Sequence, residues 1–391
     1  MSATICQILF WTSLAGLFYT FAGYPLLMFI LAPRKSAAGE PVGAEAPFTV
    51  TVVIAAHNEE SRILPRVENL LASDYPADRL EIIVVSDGST DQTSLKIRSL
   101  DNPRVRVIDQ PQRSGKAHAL NLAVAAAGGQ LVVFADARQR FDRAAIAALA
   151  AHFRRPETGA VSGELLIDPA GSAAGGGIDA YWRLEKLLRF SEARRDSTIG
   201  CTGAIYAIRR ELYRPIPDDT ILDDVVIPMQ IAVQGRRVAF EPGARAYDPQ
   251  ALEPAREAVR KRRTLAGNYQ MLFRYPAWLL PWRDRLWWQL LSHKYLRLAA
   301  PFLLLLQLAS NTFLLRTSAL YAGWWGLQVI FYGLAACGLA LRQSKARIVS
   351  LPAGFVFLNW MALAGLWHYL TRKNRFAWEL NRAEGAPASH V

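Results

Sequence analysis

From Ile5 to Ala32 the chain carries no formal charge. A run of that length is longer than the apolar core of a secretion signal, and no small-residue cleavage pattern follows it. It is therefore expected to persist as an N-terminal transmembrane helix. Arg34 and Lys35 come next, whereas neither Lys nor Arg precedes the run. That asymmetry puts the N-terminus outside and the following region inside. Three more apolar segments are expected near Ala299–Leu315, Tyr321–Leu341 and Leu351–Leu370. Four spans return the C-terminus to the outside, while Arg372, Lys373 and Arg375 favour the inside. Either that bias is overridden or one segment is re-entrant.

These segments account for a hydrophobic content of 52% beside an ordinary charged fraction of 20% in 391 residues. The net charge of +12 could suggest nucleic acid, but no nucleic-acid motif accompanies it. Much of the excess lies beside the apolar runs, at Arg34-Lys35, Arg342, Lys345, Arg347 and Arg372-Lys373. Cys6, Cys201 and Cys337 are far apart and form no metal-ligand spacing, and no disulfide framework is indicated.

Residues 36–47 are rich in Ala, Gly and Pro and read as a linker. From Phe48 the pattern alternates between strands and helices. Thr51–Ala55, Glu81–Val85 and Gln130–Ala135 have the continuous apolar character of buried parallel strands. Glu60–Ser73, Asp91–Leu100 and Ala117–Ala127 read as the intervening helices. The expected fold class is α/β, a doubly wound, mostly parallel sheet over residues 48–255. Such sheets bind ligands beyond the C-terminal ends of their strands. Residues 256–298 are basic and amphipathic: Trp278, Trp282, Trp287, Trp288 and Tyr295 alternate with Arg283, Arg285, Lys294 and Arg297, as in interfacial helices. Residues 299–371 hold the C-terminal spans, and 372–391 form a tail.

The polar residues of interest fall at the predicted strand ends. The first strand runs into Ala55-Ala56-His57-Asn58-Glu59-Glu60, which could receive a base and ribose; the alternative is a turn in which Asn58 caps the next helix. The second runs into Ser86-Asp87-Gly88-Ser89-Thr90-Asp91, where Asp87 could bond a nucleobase or ribose, or the segment could be turn chemistry. Arg113-Ser114-Gly115-Lys116 enters a helix as a flexible basic turn suited to a diphosphate, though it lacks the spacing of a P-loop. The third strand ends in Asp136-Ala137-Arg138. Paired carboxylates here would chelate a divalent metal, and Arg138 stands in place of the second.

Taken together, these strand ends resemble family 2 glycosyltransferases of the GT-A fold. The resemblance continues through Val161-Ser162-Gly163-Glu164, Gly203-Ala204-Ile205-Tyr206-Ala207-Ile208-Arg209-Arg210, Leu222-Asp223-Asp224 and Arg260-Lys261-Arg262-Arg263-Thr264. One N-terminal and several C-terminal spans are similar to the membrane branch that includes chitin-oligosaccharide, poly-N-acetylglucosamine and hyaluronan synthases. The resemblance implies that Ala56, His57, Glu59 and Asp87 hold a uridine. It implies that Lys116 faces the diphosphate, that Asp136 contacts ribose or Mg2+ or Mn2+, and that Arg138 borders this donor site. Asp224 would be the catalytic base beside Asp223, with Glu164, Gly203 and Arg209 in the acceptor region. Arg260 and Arg263 stand where the branch has a Gln/Arg-x-x-Arg-Trp clamp for pyrophosphate, but Thr264 replaces Trp, which weakens a claim of long-chain processivity. The single carboxylate of Asp136-Ala137-Arg138 is the second departure and puts the usual metal coordination in question.

The implied partners are a UDP-sugar donor, a glycan or lipid-linked acceptor and membrane lipids, with no nucleic acid. The implied setting is the cell's inner membrane with the catalytic region cytoplasmic. Two rivals remain: a same-fold enzyme adding one sugar to a lipid carrier, and a transporter with a nucleotide-sensing domain. The scarcity of ionisable residues in the expected spans argues against the transporter.

Overall fold

The computed structural model describes residues 2–33, 48–167, 176–248, 254–341 and 346–371. The expected linker, the tail, and Arg34, Lys35, Arg342 and Lys345 lie outside the described residues. In chain order, α1 (Ala3–Phe18) and α2 (Tyr24–Leu31) are joined by a π-helical turn, Tyr19–Gly23. Strands β1 (Val50–Ala56), β2 (Leu80–Asp87), β3 (Val105–Gln110) and β4 (Leu131–Ala135) then alternate with α3 (Ile63–Leu71), α4 (Thr93–Arg98) and α5 (Lys116–Ala126). The short β5 (Arg140–Phe141), α6 (Ala145–Ala151) and the long β6 (Thr158–Ile167) lead to α7 (Gly176–Arg195). After these come β7 (Ile205–Arg209), α8 (Asp223–Val233), β8 (Arg237–Asp248) and α9 (Pro254–Arg274). The last helices are α10 (Trp287–Leu290), α11 (Leu296–Leu314), α12 (Ala319–Ala340) and α13 (Arg347–Thr371).

Two compact units emerge. One is the sheet with its covering helices, from Arg34–Gly171 and Asp196–Ala251; the other is helical, from Met1–Pro33, Ser172–Arg195 and Leu252–Thr371. The sheet has eight strands in the order β3-β2-β1-β4-β7-β6-β8-β5. β1, β2, β3 and β4 are mutually parallel, as the apolar runs predict. Every residue of β1 is buried. On one face Val52, Ile54, Ile82, Val84 and Val133 join Ile63, Val67 and Leu70 of α3 and Ile146 and Leu149 of α6 in a single core. α5 presents Ala119, Leu120, Ala123 and Val124 to the interior as well. Burial of this kind stabilises by roughly 25 cal/mol per Å² of apolar surface.

The sheet is not all parallel. β7 runs antiparallel between β4 and β6, with Ala135 opposite Ile205 and Leu131 opposite Arg209. That reversal brings the start of β7 to the same edge as the C-terminal end of β4. β3 and the β6–β8 pair escaped the strand reading because β3 alternates apolar and polar residues at a half-exposed edge and β8 carries Arg, Glu, Pro and Gly.

Among the described residues, four helices, all in the helical unit, are long and apolar enough to cross a membrane: Ala3–Leu31, Trp287–Leu314, Ala319–Ala340 and Arg347–Thr371. Ile8, Phe29, Trp360 and Trp367 lie exposed on them, as lipid-facing side chains do. The second helix starts well before the expected Ala299, so Trp287–Leu298 opens a span rather than lying wholly in the interface. Two of its ionisable residues meet buried carboxylates. His293 is fully buried, with Nδ1 2.8 Å from Glu192 and Nε2 3.0 Å from Glu185. Arg297 donates to Glu185 at 2.7 Å and Tyr24 donates to Glu192 at 2.5 Å. A second π-helical turn, Leu291–Tyr295, carries His293 and Ser292, and Ser292 pairs at 2.8 Å with Tyr19 of the first π-turn. The ionisable residues lie in the part of this helix that precedes the expected span Ala299–Leu315. His293 and Arg297 meet carboxylates of α7, a helix that composition alone does not associate with the membrane.

Candidate active site

The site begins with Asp87, the last residue of β2, which is fully buried. Its two carboxylate oxygens accept the backbone N–H groups of Ser114 and Gly115 at 2.7 and 2.8 Å. Asp87 therefore holds the basic turn ahead of α5, and charged acceptors make such bonds about twice as strong as neutral ones. Gly115 occupies φ 102° at the cap of α5, a conformation that other residues rarely adopt. His57 Nδ1 lies 2.7 Å from the carbonyl of Asp87, which ties the end of β1 to the same point. Asn58, at φ 55°, accepts from the N–H of Thr90 at 2.8 Å. Glu59, buried beside its ion pair with Arg62, donates its own N–H to Thr93 at 2.9 Å. The ends of β1 and β2 thus brace each other, and Asn58 joins the two loops rather than capping α3.

Lys116, the first residue of α5, stands between two carboxylates. Its Nζ is 2.9 Å from Asp136 and 3.4 Å from Asp223. Burial alone would lower its proton affinity, but Asp136 and Asp223 outweigh burial and hold the ammonium above the usual lysine range. Asp223 and Asp224 are the first residues of α8, and Leu222 takes the cap position without a side-chain hydrogen bond. Neither Asp is the helix cap; both lie in the first turn, where the helix dipole favours carboxylates. The Asp224 carbonyl accepts from the N–H of Cys201 at 2.7 Å. A Cβ built on Gly203 would stand 3.0 Å from Asp224 Oδ2, so Gly203 leaves the carboxylate its room.

Around this cluster the sequence-derived candidates divide. Ala56 and His57 end β1, Asp136 follows β4, and Glu164 lies buried beyond Ser162 on β6, toward the same edge of the sheet. Arg209 does not join them. It lies opposite Leu131 at the far end of β7, where its guanidinium donates to the carbonyls of Thr158, Phe153 and Arg155. That position makes it a clasp on the sheet's other edge rather than an acceptor contact. Arg138 also differs from expectation: it donates to Asp248 at 2.7 Å, and Gln139 donates to the same oxygen at 3.1 Å. Its positive charge is committed to the end of β8. Arg260 and Arg263 lie on α9, in the helical unit.

Two residues escaped the sequence reading. Tyr206 is fully buried, stacks at 4.4 Å on Phe134, and is held neutral by burial and by Asp223 and Asp224. Asp248 is the buried partner of Arg138. Tyr206 lies within a motif already noted, but its period-2 placement reads as core; Asp248 ends a strand with no apolar pattern to announce it.

Among the described residues, no group of three His, Cys, Asp or Glu side chains is placed to hold a metal ion. Asp136, with its side chain 38% exposed, offers one hard oxygen donor. This suits Mg2+ or Mn2+, which commonly take one or two carboxylates and complete their shell with phosphate oxygens and water.

Residues 51–216 match the sequence model of the family described as Glycosyl transferase family 2. Among curated proteins, the chain is 26% identical over 204 residues to poly-β-1,6-N-acetyl-D-glucosamine synthase of Staphylococcus aureus, covering 51% of this chain and 49% of that one. It is 26% identical over 258 residues to β-monoglucosyldiacylglycerol synthase of Synechocystis, covering 61% and 52%. The chain thus spans about half the length of these relatives. Among solved structures, the mannosyltransferase PcManGT from Pyrobaculum calidifontis, in complex with GDP-Man and Mn2+, is similar at TM-score 0.69 and 25% identity, over 94% of this chain and all of that one.

A mixed sheet with carboxylates and a basic turn gathered at its strand ends is the arrangement of the GT-A fold, shared with this solved structure. Residues 51–216 thus form a family 2 glycosyltransferase domain.

Proposed function

We propose that the protein is an inverting transferase that moves a sugar from a nucleoside diphosphate sugar to a membrane-borne acceptor on the cytoplasmic side of the cell membrane. The observation that carries this reading is the grouping of Lys116, Asp136 and Asp223 within ion-pair distance, with Asp224 next in the chain. Asp224 takes the proton of the acceptor hydroxyl while that oxygen bonds to the anomeric carbon. The bond from that carbon to the diphosphate breaks, and its electron pair leaves with the phosphate oxygen. Lys116 stabilises the charge that develops there. Asp87 keeps Lys116 in position through the Ser114-Gly115 turn. Asp136 would hold a divalent ion, which when bound supplies further positive charge to the leaving group.

We favour addition of a single sugar over chain growth, the kind of product named for the β-monoglucosyldiacylglycerol synthase relative. Thr264 in place of the expected Trp agrees with this. The test is a screen of UDP- and GDP-sugars against lipid and glycan acceptors, reading both diphosphate release and product size. One product species supports single addition, a ladder supports a polymerase, and release with none of the donors defeats the reading. A reporter fused after Ser36 that scores outside the cell would overturn the cytoplasmic assignment.

A further inference from the structure

Asp136 has two claimants. Lys116 sits 2.9 Å from its Oδ1 in an ion pair, and the ammonium lies 3.4 Å from Asp223 on its other side. Two other cations stand near in the chain or the fold: Arg138 bonds Asp248, and Arg66 bonds the backbone carbonyl of Asp136 at 3.0 Å. A divalent ion on the Asp136 carboxylate would meet the ammonium at a few ångströms, where like charges repel strongly in a partly buried site. Asp87 fastens the Ser114-Gly115 turn that leads directly into Lys116, whose four-carbon stem lets the charge swing while the turn stays put.

We propose that Lys116 is a built-in counter-ion that competes with the divalent metal for Asp136 and yields it when a diphosphate draws the ammonium away. The proposal rests on the donor-site reading above and deepens it. Lys116 then couples the two ligands: metal binds weakly by itself, and metal and diphosphate bind better together than apart. Asp223 benefits from the same ammonium, so the lysine also balances the carboxylates at the start of α8 until the donor arrives.

The experiment titrates Mn2+ into the purified full-length protein in detergent and reads the free-ion electron paramagnetic resonance signal, first without nucleotide and then with UDP or GDP. Lys116→Met should bind Mn2+ about tenfold more tightly than wild type without nucleotide, the scale of one removed neighbouring charge. The same variant should bind the nucleoside diphosphate more weakly, so one substitution moves the two affinities in opposite directions. Lys116→Arg, which keeps the charge, should leave Mn2+ binding near wild type, and Asp136→Asn should abolish it. Unchanged or weaker Mn2+ binding by a folded Lys116→Met overturns the proposal, as does equal tightening by Lys116→Arg. If no nucleotide binds to any variant while the Mn2+ difference persists, the donor reading fails and the competition stands.

Discussion

The carboxylate of Asp224 stands over Gly203, where a single added carbon would approach Oδ2 to 3.0 Å. This contact links two segments that the sequence keeps far apart, the start of β7 and the start of α8. Gly203→Ala introduces no left-handed strain, so the fold should persist while the carboxylate shifts by a few tenths of an ångström. Transfer should fall by about tenfold or more, because small misplacements of reacting groups are costly, with Tm nearly unchanged. Full activity in a Gly203→Ala variant would remove this glycine from the site.

Asp224→Asn keeps the shape of the side chain and removes its ability to accept a proton at neutral pH. Transfer should drop by on the order of 10² to 10⁴, with nucleotide binding by calorimetry retained. Asp223→Asn should cost less in transfer, since its nearest charged partner is Lys116 at 3.4 Å. Lost nucleotide binding in Asp224→Asn would instead assign that residue to the donor pocket.

Asp87→Asn puts an amide N–H against a backbone N–H, at either Ser114 or Gly115. We expect a loss of about 1–3 kcal/mol in stability, as for a buried group left unsatisfied. Nucleotide affinity should fall with it, because Lys116 follows this turn directly. Denaturant unfolding and calorimetry on the same sample test both effects. Reduced affinity at unchanged stability would mean that Asp87 contacts the nucleotide rather than the turn.

Removal of divalent ions by chelation should suppress transfer, and Mn2+ or Mg2+ should restore it. Arg138→Ala should alter stability rather than metal affinity, because the guanidinium is paired with the buried Asp248. An increase in Mn2+ affinity in that variant would return Arg138 to the metal's neighbourhood.

In the helical unit, burial would raise the carboxyl pKa of Glu185, but His293 and Arg297 pull it well below the usual glutamate value. A depressed folded-state value means that the stabilisation is fully present above the unfolded pKa of about 4.3 and disappears as pH falls below it. Thermal unfolding in nanodiscs should be level from neutral pH down to about 4.5 and fall below that. Glu185→Gln should already be destabilised at pH 7, by about 3–5 kcal/mol, because Arg297 loses the Glu185 carboxylate. A variant as stable as wild type at pH 7 would assign the cluster no structural weight.

The parallel half of the sheet was legible because β1, β2 and β4 are apolar on both faces, and the candidate residues Asp87 and Asp136 stood out because they end or follow those strands. Gly203 was visible as a motif residue, but its function as a space for Asp224 exists only across two elements. Arg138 misled for a related reason: sequence places it next to Asp136, whereas its partner Asp248 lies at the end of a strand that no pattern announces. Arg209 shared a motif with Gly203 yet faces the other way, because β7 runs from one edge of the sheet to the other. His293 was hidden because its counter-ions come from α7, which is far from it in sequence.

The chain leaves the sheet after β6, supplies α7 to the helical unit, and returns to insert β7 between β4 and β6. During synthesis, the second edge of β4 therefore emerges about seventy residues before the strand that covers it, several seconds at about 5–20 residues per second. For that interval a ribosome-bound chain displays an open, apolar strand edge of the kind that invites wrong pairing. Translation speed and early chaperone capture over the α7 codons thus become determinants of yield.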